Sequence, residues 1–422
     1  DKRNWASSPQ SHKMGATRMY NDLYYKVVGK NEFNETEGME NCRVAVYEDP
    51  FLVFNQESEG SEPVFVGMGT FGSGKGDKPT FGYDAEKTPN FLMIEGSDNN
   101  PRLTKHQIPW IEGDVNYDEE EEGYVYAGTT SWDYDLGNLT TISRYIEAFN
   151  FVYLHSNRIK PFNGTYTQLK EAKDLDISYC YWVTKAESGS ARYDMYFYDE
   201  ILKTWVPGGT SKNLDGSHAT LNLKTQMADY LPSDFASHET YIEWDKVNED
   251  FITARKKEFG AKITNYFHKR DILFFMCLMK LIAACDNRAK NTYFRVLNNT
   301  SLIRAVQDDL DSILPVDNQG KLTKPYWVEE HDFDESLGKN YWNGEDNVLY
   351  NMMEACFATE LRSMMKEILD AMAELGGGTV DGFWEKYFFS TNQYFPAVAY
   401  NEMARVGYEY AHYQMQIGNY NN

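Results

Sequence analysis

The sequence predicts an α+β body in two lobes, a small strand-rich lobe followed by a larger, mainly helical one. Three observations point to this. Short apolar runs broken by Gly, Asn and Pro turns fill the stretch from Arg43 to about Ile94. Helical periodicity dominates after Tyr241. No internal repeat or low-complexity linker divides the chain. The boundaries that follow are an N-terminal arm over 1–40, a β-rich lobe over 41–135, a larger lobe over 136–395 with a β-hairpin insert near 179–206, and a C-terminal helix over 396–422.

Each element has a local reason. The first forty residues are polar, except that Ala16 to Val28 is amphipathic and fits either a helix or an arm laid on a neighbour. Val44–Tyr47, Phe51–Phe54, Pro63–Val66 and Phe91–Ile94 are strand-like runs. Asp114 to Glu122 reads as an acidic loop, and Leu139 to Leu154 carries Ile142, Tyr145, Ile146, Phe149 and Val152 on one helical face. Tyr179–Val183 and Arg192–Tyr198 flank Ser188-Gly189-Ser190 as the arms of a hairpin ending near Trp205. Helices are expected at Val247–Phe267, Asp271–Cys285, Asn347–Phe357, Thr359–Leu375 and Gly382–Phe389, with a last one from Pro396 to Ile417.

Composition narrows the function. The 422 residues are 42% apolar, enough to bury a large core. Thirty-one Tyr, 24 Phe and nine Trp favour strands, core packing and protein interfaces. A net charge of −23 opposes broad binding to a phosphate backbone, which needs a positive footprint. Five widely spaced cysteines with no Cys-x-x-Cys pair suggest neither a zinc site nor a disulfide framework, and fit folding in a reducing cytoplasm. The apolar run from Ile272 to Cys285 is interrupted by Lys280 and is too short to span a bilayer. No signal-peptide pattern is read at Asp1-Lys2, and the missing initiator Met there predicts a piece of a longer polypeptide or a processed product.

The most informative motif starts where that apolar run ends. Asp286-Asn287-Arg288-Ala289-Lys290-Asn291 is followed by the β-like run Thr292–Val296 and then by Asp309-Leu310-Asp311. Kinase-like folds present a catalytic loop and a metal-binding carboxylate in this order. In phosphoryl transfer one carboxylate orients the attacking hydroxyl, while an Asn oxygen and a second carboxylate hold magnesium. The alternative stays open: Asp286 caps a helix end, Arg288 and Lys290 pair with nearby acids, and Asp309 and Asp311 bracket a buried strand.

Other motifs are weaker. Gly67 to Gly76 contains a formal G-x-G-x-x-G, but Gly76 replaces the hydroxyl residue of a phosphate loop and Asp77-Lys78-Pro79 cannot start the helix such a loop needs. It fits a surface turn, or a hairpin tip over a nucleotide. Asp114–Asp118 resembles the start of a calcium loop, yet Glu119 stands at the tight-turn glycine position and Val125 at the bidentate Glu. Glu329–Glu335 reads as a hydrated charge run. No His-x-x-x-His, Gly-x-Ser-x-Gly or Cys/His arrangement gives zinc hydrolysis or nucleophilic catalysis a foothold.

At these residues the chain resembles the CotH-like (spore-coat) kinase superfamily, and resembles more closely the large virion proteins of crAss-like and related tailed bacteriophages that contain such a domain. The likeness is carried by Phe65–Gly67 through Thr80–Tyr83, Met93–Asn100, Asp286–Asn291, Asp309–Ser312, Asp317–Leu322, Tyr326–Asp332 and Trp342–Leu349. The resemblance implies Asp286 as the catalytic-loop acid, Asn291 as a metal ligand and Asp309 or Asp311 as the second metal carboxylate, with Lys75 and Lys78 as candidates for the nucleotide phosphates. It implies a structural virion protein, a tail or muzzle component made in the bacterial host cytoplasm and assembled with copies of itself and other tail proteins. Such a pseudokinase requires no cofactor, contacts no specific nucleic acid sequence and inserts in no membrane. The alternative it implies is an active atypical protein kinase using Mg and ATP.

Overall fold

The computed structural model describes residues 11–32, 34–72, 83–96, 115–118, 123–126, 132–138, 141–155, 159–177, 180–183, 195–199, 203–207, 210–212, 218–220, 253, 256–284, 287, 292–308, 310, 313 and 348–389. They form a mixed α+β structure. The chain opens with helix α1 (Ser11–Val27), whose apolar positions Ala16, Met19, Tyr20, Leu23, Tyr24 and Val27 recur at helical spacing and are all buried. Gly29, at φ +92, ends it in the left-handed conformation that glycine adopts without strain. The stretch from Ala16 to Val28, expected as helix or arm, is therefore a helix, and it packs in the main core.

Strands β1 (Glu48–Asn55) and β2 (Val64–Gly72) pair antiparallel as a two-stranded hairpin with its turn at 56–63. Val44–Tyr47 is not a strand. Its backbone is taken up by a side chain, since the Val44 and Ala45 amides donate to Asn21 Oδ1 of α1 at 3.1 and 3.3 Å. After β3 (Leu92–Gly96) come β4 (Val115–Asp118) and β5 (Gly123–Tyr126), a second antiparallel pair. The expected acidic loop is thus partly strand, and Val115–Asp118 is too extended for a calcium loop. Strand β6 (Trp132–Gly137) follows, then α2 (Ile142–His155).

A second sheet is built from β7 (Ile159–Phe162), β8 (Cys180–Val183), β9 (Met195–Asp199) and β10 (Thr204–Pro207), in the order β10-β9-β8-β7. The expected hairpin is its β8–β9 pair, while β7 joins β8 in parallel through helix α3 (Tyr166–Glu171). Thr165 and Gln168 close a reciprocal capping box that starts α3. A short pair, β11 (Thr210–Lys212) and β12 (His218–Thr220), comes next.

The central sheet has the order β14-β13-β3-β6, antiparallel throughout, with β13 (Thr292–Val296) and β14 (Arg304–Gln307) as a hairpin. Every residue of both hairpin strands is buried, so both faces are covered. Phe294 meets Phe149 of α2 and Phe267, edge to face, at centroid separations of 5.6 and 6.0 Å. The Tyr145 hydroxyl of α2 lies 2.7 and 2.9 Å from the carbonyls of Leu92 and Phe294, clasping β3 to β13. Gly137 ends β6 at φ +116 where a β-carbon would collide with the Phe91 carbonyl, so glycine is needed there twice over.

Helix α4 (Lys269–Leu281) runs beside β14 and is preceded by helical residues 256–262 and a tighter turn, Ile263–Asn265. All of Asp271 to Met279 is buried, which is why the segment reads as apolar on every side. Helices α5 (Val348–Cys356) and α6 (Ala358–Leu375) lie within two residues of their expected positions, and α7 (Val380–Trp384) passes into a wider turn, Glu385–Phe389. Gly15 of α1 allows close approach here, because a β-carbon on it would sit 2.5 Å from the Tyr387 carbonyl oxygen. The expected helix from Pro396 to Ile417 lies outside the described residues.

Candidate functional site

The site expected from sequence is approached from helix α4. Its N-cap is His268, whose Nδ1 accepts from the Asp271 amide at 3.2 Å. Its C-terminal turn closes with the Ala284 amide bonded to the Met279 carbonyl at 2.9 Å and the Ala283 amide to the Lys280 carbonyl at 3.2 Å. That is a Schellman ending, in which the residue after the cap is left-handed and usually glycine. Here it is Ala283, at φ 52, so methyl strain is held at the exit of the helix. The helix therefore stops at Leu281, short of the expected Cys285, and Asp286 follows a turn instead of the helix's own last residue.

Asp286, Asn291, Asp309, Asp311, Lys75 and Lys78 lie outside the described residues, as does Glu329–Glu335. Their chain neighbours are described. Asn287, wholly buried, donates from Nδ2 to the Asp308 carbonyl at 2.6 Å, and its own carbonyl accepts from Thr292 Oγ1 at 2.6 Å. Thr292 stands opposite Gln307 in the β13–β14 register, so the hairpin begins and ends at the same edge. Leu310 and Ile313 are buried in the main core. Asp286 and Asp309 are thus each one peptide unit from a residue of the Asn287–Asp308 bond.

An ionic cluster at the other end of α4 was not singled out by the motif analysis. Asp271 is fully buried; its Oδ1 accepts from the Ala305 amide at 3.0 Å, and its Oδ2 from the Tyr24 hydroxyl at 2.5 Å and from Arg304 Nη1 at 3.3 Å. Arg304 Nε also donates to Glu32 at 2.5 Å. Burial alone lowers the Arg304 pKa, but Asp271 first, then Tyr24 and Glu32, outweigh it and raise the group above its ordinary value. Burial, then the Asp271 carboxylate, pushes the Tyr24 hydroxyl well up, so it stays a donor. One strand, β14, is thereby tied to α1 and α4 through Arg304 and Ala305, four and three residues before Asp308. An acid in the first turn of a helix reads as an ordinary dipole partner, and nothing local in the sequence pairs it with residues 24 and 304.

Cys277 does not supply a nucleophile. Its thiol faces the Leu361 carbonyl at 3.4 Å, and burial pushes its pKa up to about 12, far from thiolate at neutral pH. Among the described residues no group of three or more His, Cys, Asp or Glu side chains is placed to hold a metal, and no helix is long and apolar enough to cross a membrane. No protein-family model matches this chain and no curated protein matches it, so residues and geometry carry the functional reading.

Proposed function

We propose that the chain is a kinase-like body of the CotH type that serves as an assembly component of a tailed-bacteriophage virion, a tail or muzzle subunit in which catalysis is not required. Support for the kinase-like part is the order of elements: buried helix, segment with Asp286, buried hairpin, segment with Asp309, with the Asn287–Asp308 bond across the base. In this reading residues 41–135 form the smaller lobe and 136–395 the larger, and the pairing of β3 with β13 is the seam between them.

The observation that favours assembly over enzyme is the turn of the β1–β2 hairpin. Of the glycine-rich segment Gly67–Gly76, Gly67, Gly69 and Gly72 lie within strand β2 and 73–76 lies outside the described residues, while the turn at 56–63 holds Glu57, Glu59 and Glu62 with no Lys or Arg, so this end of the hairpin does not suit a polyphosphate. Three carboxylates at the tip repel a polyphosphate. The same hairpin exposes Phe54 and Val64, at 53% and 64%, on a two-stranded sheet that is marginal alone and suits contact with another subunit.

A second reading, an active atypical protein kinase with Asp286 as the loop acid and Asn291, Asp309 and Asp311 as the magnesium ligands, is favoured by the Asn287–Asp308 bond. A magnesium-dependent ATP titration of the whole chain, beside Asp286→Ala and Asp309→Ala, separates the two. The expected result is no saturable binding in any of the three, with the polypeptide present in purified particles. Tight binding abolished by both substitutions would establish the enzyme instead, and a free monomer absent from virions would remove the assembly role.

A further inference from the structure

The unit made by β7–β10 and α3 has its own small core, Leu169, Tyr181, Val183, Tyr196 and Trp205, and beside it a cavity of about 290 Å³. Lys170 in the last turn of α3, Asp174 in the turn after it and Lys203 just before β10 line the cavity together with Ile177, Tyr198 and Trp205. Tyr198 and Trp205 meet edge to face at 5.3 Å, and Ile177 is 39% exposed although apolar. Cations and rings thus share one recess.

Two backbone conformations single this recess out. Asp174 and Lys203 are left-handed, at φ 65 and φ 54, and they are two of the three non-glycine residues with positive φ among those described. Aspartate tolerates this conformation, but a lysine at φ 54 is strained where glycine would not be, which points to a use for the Lys203 side chain. Lys170 lies 4.3 Å from the Tyr166 ring, and among the described residues no carboxylate pairs with Lys170 or Lys203. In a chain of net charge −23, a recess whose rim carries two lysines against one aspartate departs from the overall field.

We propose that this cavity binds a small organic anion, a phosphate or carboxylate group carried on a ring, with the charged group between Lys170 and Lys203 and the ring against Tyr198, Trp205 and Ile177. The volume lies just below the usual range for ligand sites, roughly 300–1,000 Å³, which fits a single ring with one acidic group and is too small for a nucleoside triphosphate. Asp174 on the same rim opposes the anion and limits its affinity.

The test follows the Trp205 indole N–H of the full chain by NMR while phenyl phosphate, benzoate, inorganic phosphate or phenol is added. Saturable shifts are expected with phenyl phosphate and benzoate, the tighter of the two naming the acid, with weaker binding of inorganic phosphate and none of phenol. Lys170→Gln and Lys203→Gly should each weaken binding roughly tenfold or more, as expected for loss of a charge-assisted contact. Asp174→Asn, which tolerates the left-handed backbone, should tighten it several-fold. Lys203→Gly should also raise the melting temperature, so its loss of binding cannot come from unfolding. No saturable Trp205 shift with either ring acid, or unchanged affinity in Lys203→Gly, would overturn the proposal. Equal affinity for inorganic and phenyl phosphate would overturn the role given to the rings.

Discussion

The main core and the β7–β10 unit are closed by different physics. Around β13 and β14 the interior holds charges: Asp271 receives the Ala305 amide, the Tyr24 hydroxyl and Arg304, three donors from two segments, β14 and α1, that one arrangement satisfies together. Around β8 and β9 the interior is closed by rings. Tyr166 and Tyr196 stack at 4.1 Å, Tyr181 and Trp205 meet edge to face at 5.3 Å, and the Tyr166 hydroxyl donates to the Trp205 carbonyl at 2.6 Å. Ring contacts tolerate small slides, whereas a buried carboxylate loses several kcal/mol when a donor is withdrawn. The stricter chemistry ties α1, α4 and β14 together, and the more forgiving kind lies beside an open cavity.

Substitutions at three positions sharpen the contrast. Arg304→Ala leaves Asp271 buried without its cation and should cost about 3–5 kcal/mol of global stability, measured by urea unfolding. A change under 1 kcal/mol would mean that the cluster is not the keystone of the core. Trp205→Ala removes a comparable amount of packing, about 3–5 kcal/mol, but its loss should stay local. Hydrogen exchange should quicken over 159–207 while 292–307 keeps its protection; spread of the loss into 292–296 would show that the two regions fold as one.

The smallest effect is at His268. Burial first, and then the Arg304 guanidinium, hold its pKa below the ordinary value, with Arg270 acting the same way and Asp271 and Glu32 opposing them. The neutral ring is the one that caps α4, because Nδ1 accepts the Asp271 amide. The unfolded chain therefore takes up a proton first, and stability present in full above pH about 6.5 declines as the pH falls from there toward the depressed folded value. His268→Asn should retain the cap and flatten this dependence, and His268→Ala should cost about 1 kcal/mol at neutral pH. An unchanged slope in the Asn variant would assign the dependence to another group.

Much of the secondary structure was legible because periodicity reports burial. The stripes of α2 and α6 and the long apolar run of α4 placed those helices, although α4 ends four residues early in a turn signalled by no glycine. Val44–Tyr47 was misread as strand because a β-like run says nothing about whether a neighbouring strand or Asn21 will take its amides. Strands β6 and β7 were missed, since Trp132–Gly137 mixes acids with rings and Ile159–Phe162 contains a proline. The Asp286 and Asp309 motifs were legible as spacing, and the bond between their neighbours Asn287 and Asp308 was not, because it depends on the turn and register of the hairpin between them.

Helix α1 joins partners that come much later in the chain. Tyr24 reaches Asp271 across 247 residues, and Asp22 accepts from Tyr387 across 365. At roughly 5–20 residues per second on the ribosome, the greasy side of this first helix emerges on the order of 10–50 s before its acceptor exists. During that interval a nascent polypeptide offers Tyr20, Leu23 and Tyr24 to any chaperone within reach, and topology of such long range folds slowly.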